Sequence, residues 1–143
     1  MENKLVDILL IEDNPSDAEL AIRALRKNNM ATNLAWVKDG EEACKFLFSK
    51  EGKPVSPGNP KLILLDLKLP KVSGLQILTL LKQNEKLKTV PVVILTSSKE
   101  DRDLSECYKT GANSYIVKPV GFKEFLNTIS EIGSYWLHLN QSL

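Results

Sequence analysis

The sequence predicts an α/β fold, a doubly wound parallel sheet with helices on both faces, and three observations carry that prediction. Five short apolar runs alternate with amphipathic segments, the pattern of strand and crossover helix taken in turn. Runs such as Leu62-Ile63-Leu64-Leu65 are apolar without interruption, as strands buried on both faces must be, whereas a sheet with one wet face would alternate apolar and polar residues. Four of the runs stop at chemically capable residues. Val6-Asp7-Ile8-Leu9-Leu10-Ile11 leads into Glu12-Asp13, and the Leu62 run leads into Asp66. Val90-Pro91-Val92-Val93-Ile94-Leu95 leads into Thr96-Ser97-Ser98, and Tyr115-Ile116-Val117 into Lys118-Pro119. The C-terminal ends of parallel strands are where open α/β sheets place their chemistry.

The elements follow in order. After Glu12-Asp13, Asn14 suits a helix cap and Pro15 the first helical position, and Ala18, Ala21, Ile22 and Leu25 form a core stripe at helical spacing. Asn33-Leu34-Ala35-Trp36-Val37 reads as the second strand, and Asp39 begins a helix carrying Ala43, Phe46 and Leu47. The stretch 49–60, with three prolines and two glycines, reads as a surface loop into the third strand. Beyond Pro70, Ser73 caps a helix through Leu75, Leu78 and Leu81, and Asp101-Arg102 opens another that Gly111 ends. The last helix starts near Phe122, with Phe125, Leu126, Ile129, Ile132 and Trp136 on one stripe.

Composition acts mainly by exclusion. A chain of 143 residues suits one domain with its own core, expected here over residues 5–130 with the last helix running on to 139, and no separate output domain is expected. Nineteen basic and 18 acidic residues give a net charge of +1, without the basic footprint of a nucleic-acid binder. Cys44 and Cys107 lack metal-ligand spacing and fall on expected helices, where cysteine is usually a small buried hydrophobe. No run is long enough to span a bilayer and Met1-Glu2-Asn3-Lys4 does not begin a signal peptide, so neither a membrane nor export is expected and the cytoplasm is the default location.

Parallel neighbours among these strands would gather Glu12, Asp13 and Asp66 with Thr96 and Lys118. Carboxylates 4 Å apart repel by roughly 4 kcal/mol per pair at an effective dielectric near 20, so positive charge is required. Lys118 supplies one charge, and the remainder matches one divalent cation. An all-oxygen ligand set favours Mg²⁺, which bridges carboxylates to phosphate. Such a site offers a phosphoryl group a carboxylate nucleophile in Asp66, charge stabilisation from Lys118 and the metal, and a hydrogen bond from Thr96. Each residue alone has an ordinary reading: Asp66 or Glu12-Asp13 as caps, Thr96 as a turn former, Lys118 as a solvated charge. Their joint occurrence at four strand ends is what the ordinary readings do not explain.

These residues, taken in order, resemble the receiver domain of two-component response regulators. The likeness runs from Val6 to Leu126 through Ile11-Glu12-Asp13-Asn14, Leu65-Asp66-Leu67-Lys68-Leu69-Pro70 with Ser73-Gly74, Leu95-Thr96-Ser97 and the segment from Gly111 to Pro119. It implies the flavodoxin-like (βα)5 arrangement with strand order 2-1-3-4-5. It implies that Asp66 accepts phosphate from a sensor histidine kinase, with Mg²⁺ held by Asp13, Asp66 and the Lys68 main-chain carbonyl, and by Glu12 through water. It also implies a switch in which Thr96 moves toward the phosphoryl group and Tyr115 turns inward, a small Ser97 that admits the donor, and a cis bond before Pro119. Lys68 and Ser98, each two residues beyond a site residue, take positions that modulate hydrolysis in receivers, and the Lys68 ammonium either meets phosphoryl charge or points to solvent. The segment from Ile11 to Leu20, the 49–60 loop and Tyr135-Trp136-Leu137 resemble stand-alone receivers associated with phytochromes.

The expected output is protein contact, with a kinase upstream and a target or phosphotransfer protein downstream. Trp136, Leu137 and Leu139 extend apolar character past the core, either folding back onto the domain or forming, with the Tyr115 strand, a homodimer face. A haloacid-dehalogenase phosphatase would carry Asp where Lys68 stands. A flavin-binding flavodoxin would carry a Gly/Ser/Thr loop where Glu12-Asp13 stand. The remaining alternative is a degenerate receiver that serves as a scaffold without phosphorylation. Apart from chemistry on its own Asp66, no enzyme activity is expected.

Overall fold

A computed structural model describes residues 6–27, 33–48, 60–118 and 121–136. Strands and helices alternate: β1 (Ile8–Ile11), α1 (Pro15–Lys27), β2 (Leu34–Val37), α2 (Gly40–Leu47), β3 (Leu62–Leu65), α3 (Gly74–Gln83), β4 (Val92–Thr96), α4 (Asp101–Thr110), β5 (Ser114–Val117) and α5 (Phe122–Ser134). All pairings are parallel and the order is β2-β1-β3-β4-β5, as expected from the sequence. Strands β1, β2 and β4 begin one or two residues later than the apolar runs suggest, at Ile8, Leu34 and Val92, because parallel pairing starts only where a neighbour lies alongside. Most of the 49–60 loop, Pro119 and the segment from Leu137 onward lie outside the described residues.

The uninterrupted apolar runs are explained by two cores. Successive side chains on a strand face opposite ways. Leu9, Ile11, Ile63, Leu65, Val92 and Ile94 pack on one face with Ala43 and Leu47 of α2, Ile77, Leu78 and Leu81 of α3, and Cys107 of α4. Ile8, Leu10, Leu62, Leu64, Val93 and Leu95 pack on the other face with Ala18, Ala21, Ala24 and Leu25 of α1 and Phe125, Ile129 and Ile132 of α5. Burying such aliphatic side chains stabilises by about 1.5–3 kcal/mol each, so the sheet is the rigid base of the molecule. Trp136 packs against the α1 and α5 face, which is the fold-back reading of that residue, while the neighbouring Tyr135 stays half exposed.

The helix starts match the expected caps. The Asn14 side chain accepts from the backbone N–H groups of Ser16 and Asp17, Asp39 caps α2 by accepting from Glu42, and Ser73 and Gln76 form a reciprocal capping box on α3. Gly111 closes α4 in the left-handed region at φ 118°. Helix α4 differs from the others in how little it buries: among its residues only Cys107 is buried, and Leu104 and Tyr108 face solvent. No helix among the described residues is long and apolar enough to cross a membrane.

Candidate functional site

The strand register brings the candidate residues together. Ile11 of β1 pairs with Leu65 of β3, which sets Glu12 and Asp66 level just past the strand ends. Leu65 pairs with Ile94, and Thr96 at the end of β4 pairs with Val117, so Lys118 follows directly beside it. Backbone bonds hold these ends in place: the Asp66 N–H donates to the Ile11 carbonyl at 3.0 Å, Glu12 to Val37 at 3.1 Å and Lys118 to Thr96 at 2.7 Å. The indole of Trp36 donates to the Glu12 carbonyl at 2.9 Å. The start of α3 closes the floor. A Cβ at Gly74 would stand 2.2 Å from the Asp66 carbonyl oxygen, so only glycine lets α3 approach this closely.

Glu12, Asp13 and Asp66 each present a carboxylate oxygen within 4.8 Å of the others. Lys118 enters from β5 with its ammonium 2.5 Å from Glu12 Oε1, 2.9 Å from Asp17 Oδ2 and 3.7 Å from Asp66 Oδ2. Burial pushes the Glu12 carboxyl up to about 9, with the Asp66 contact adding to the rise and Lys118 opposing it. Burial works to lower the Lys118 ammonium, but its bonds to Glu12 and Asp17 outweigh that and hold it above its ordinary value. Glu12 Oε2 is buried and has no hydrogen-bond partner. A buried carboxylate oxygen without a partner, beside two further hard oxygen donors, is the arrangement a divalent cation or its water shell completes, and the residues present fit such an ion.

The other wall is built of hydroxyl groups. Thr96 is fully buried and its Oγ1 accepts from the Ser98 N–H at 3.3 Å. The Ser98 hydroxyl donates to Asp103 Oδ2 at 2.5 Å, and the Ser98 carbonyl accepts from the Tyr115 hydroxyl at 3.0 Å. Tyr115 therefore turns toward the connection between β4 and α4, and burial is the leading cause of the upward shift of its phenol. Ser97 is exposed, and Lys68 is exposed along a groove shared with Arg102 and Asp103, facing α4.

Two residues in this network were not singled out from the sequence. Asp17 lies in the first turn of α1, four residues after Asp13, and Asp103 lies in the first turn of α4. An acid in a first turn is ordinarily a partner of the helix dipole, which hides any further role. The acid-rich spacing Glu12-Asp13 to Asp17 was the available signal for the first of them.

Comparison with known proteins agrees with this geometry. The chain matches the response regulator receiver domain family over residues 8–130. It is 42% identical over 135 residues to the probable methanogenesis regulatory protein FilR2 of Methanothrix harundinacea, covering 94% of this chain and 86% of that protein. It is 37% identical to the response regulator Rcp1 of Synechocystis, covering 91% of this chain and 88% of Rcp1. The crystal structure of the Mn²⁺-bound form of Rcp1 superposes with a TM-score of 0.84 at 35% identity, covering 95% of this chain and 97% of that one. The phosphorylated cyanobacterial phytochrome response regulator RcpA superposes with a TM-score of 0.88 at 33% identity, covering 97% of this chain and 99% of that one. With the strand order, the acid cluster and the lysine all in place, the chain belongs to the response regulator receiver domain family.

Proposed function

We propose that residues 1–143 act as a single receiver domain that takes a phosphoryl group on Asp66 from a sensor histidine kinase and signals through protein contact. The observation that carries this reading is the placement of Asp66 within 4.8 Å of two further carboxylates and 3.7 Å from the Lys118 ammonium. An Asp66 oxygen attacks phosphorus in line, the P–N bond to the donor imidazole breaks, and that imidazole takes up a proton as it leaves. Lys118 meets the developing charge on the phosphoryl oxygens, and Thr96 donates a hydrogen bond to one of them. Asp13, Asp66 and the Lys68 main-chain carbonyl would hold Mg²⁺, with Glu12 reaching it through water. When bound, that ion supplies charge neutralisation for the carboxylates and the incoming phosphoryl group. The same groups support self-phosphorylation from a small-molecule donor and slow hydrolysis of the product, without turnover of an external metabolite.

Likeness to RcpA, a phytochrome response regulator, supports a phytochrome-like sensor kinase as donor. A phosphotransfer assay with a phytochrome-type histidine kinase tests that donor. We place the protein in the cytoplasm, with a target or phosphotransfer protein downstream rather than nucleic acid or membrane. A homodimer through β5 and α5 is part of the proposal, since β5 is an edge strand and Tyr135, at the end of α5, is half exposed. Sedimentation should show self-association rising with a phosphoryl mimic, and a monomer under all conditions would remove the dimer from the reading.

The test of the central claim is intact mass after incubation with acetyl phosphate, with and without Mg²⁺. A metal-dependent gain of one phosphoryl group is expected, and none in Asp66→Asn. Uptake by Asp66→Asn would sink the acceptor assignment, and no gain from acetyl phosphate or from any kinase would favour the phosphorylation-independent scaffold.

A further inference from the structure

We propose that Asp103 is the positioning residue of the switch: it holds Ser98, and through Ser98 both Thr96 and Tyr115, in the engaged arrangement. The inference rests on the receiver reading above and adds a residue to it.

Every polar group of Ser98 is committed to a different element. Its N–H donates to the Thr96 hydroxyl, its carbonyl accepts from the Tyr115 hydroxyl, and its own hydroxyl donates to Asp103 while accepting from the Glu100 N–H at 3.4 Å. Ser98 is buried, with 6% of its surface exposed, so the loss of any of these bonds leaves a polar group facing protein rather than water. The bond to Asp103 is the charge-assisted one, short at 2.5 Å, and is the strongest of the set. It is also the tie between the connection after β4 and the body of α4, a helix whose apolar anchoring is limited to Cys107 among its buried residues. Helices α1 and α3 are set by four buried positions each. Where apolar burial is thin, a polar tether decides where a helix start sits. Without the Asp103 carboxylate the Ser98 hydroxyl must seek water, and the N–H and carbonyl of the same residue move with it. Thr96 then loses its donor and Tyr115 its acceptor together, although Asp103 is not among the acids clustered around Asp66.

The test follows the Tyr115 ring by fluorine NMR on protein labelled with 3-fluorotyrosine. The chain has three tyrosines, and Tyr115→Phe identifies the relevant resonance. In Asp103→Ala the Tyr115 resonance should move toward those of the exposed Tyr108 and Tyr135. In Asp103→Asn, whose amide oxygen can still accept from Ser98, it should stay at the wild-type position. Ser98→Ala should give the alanine-type shift, and the double variant no further shift, because both substitutions cut one bond. With Mg²⁺ and beryllofluoride as phosphoryl mimic, Asp103→Ala should bind roughly tenfold more weakly, the worth of one such bond, and Asp103→Asn close to wild type. An unmoved ring in Asp103→Ala, or an equal shift in Asp103→Asn, overturns the proposal. If Asp103→Ala does not fold, the Ser98→Ala ring shift decides in its place. The ring shift needs no phosphoryl chemistry, so a wild-type protein that binds no beryllofluoride would count against the receiver reading alone, with the tether still judged by NMR.

Discussion

The two walls of the site are made differently. On the β1 side, Glu12, Asp17 and Asp66 face one ammonium with the Asp13 carboxylate beside Glu12 and Asp66, and α1 behind them is held by Ala18, Ala21, Ala24 and Leu25. On the β4 side there is no ion pair in the chain from Thr96 through Ser98 to Tyr115, and α4 behind it buries Cys107 alone among its residues. The charged wall rests on a firmly docked helix and the hydroxyl wall on a lightly docked one. Charges buried at fixed positions stabilise a transition state only if they do not relax, which asks for a stiff support. A switch needs two arrangements separated by a few kcal/mol, which ordinary hydrogen bonds at about 1 kcal/mol each can supply.

Substitutions that load one wall at a time can break that contrast. The largest effect is expected from Lys118→Ala. Removing one partner of a buried ion pair costs about 3–5 kcal/mol. Urea unfolding should show the loss, and a divalent cation should recover part of it by supplying positive charge. Asp66 should still take up phosphate in this variant, without the accompanying movement of Tyr115. A midpoint unchanged from wild type would mean that the charged wall carries no stability. Tyr115→Phe should be the milder change, about 1 kcal/mol, since it removes one neutral donor from the Ser98 carbonyl. A Tyr115→Phe loss equal to that of Lys118→Ala would erase the distinction between the walls.

Much of this was legible in the sequence for a local reason. Uninterrupted apolar runs can be satisfied only by a sheet covered on both faces, and the helix caps at Asn14, Asp39, Ser73 and Gly111 act within a few residues of themselves. The residues ending each strand could therefore be gathered before any geometry was known. Cysteines were read less evenly: Cys107 is buried as expected, whereas Cys44 in α2 is only partly buried.

The sequence by itself determined the fold, the acid, hydroxyl and lysine set at the strand ends, and the family those residues belong to, because each follows from short-range pattern and from the direction of parallel strands. Only the tertiary structure decided that Asp17 shares Lys118 with Glu12 across 101 residues of chain, that Tyr115 engages the carbonyl of Ser98, and that Asp103 takes the Ser98 hydroxyl. A first-turn acid looks the same in sequence whether it faces water or a buried donor. Which one it faces is settled by how its helix docks, and that depends on apolar burial summed over the whole sheet.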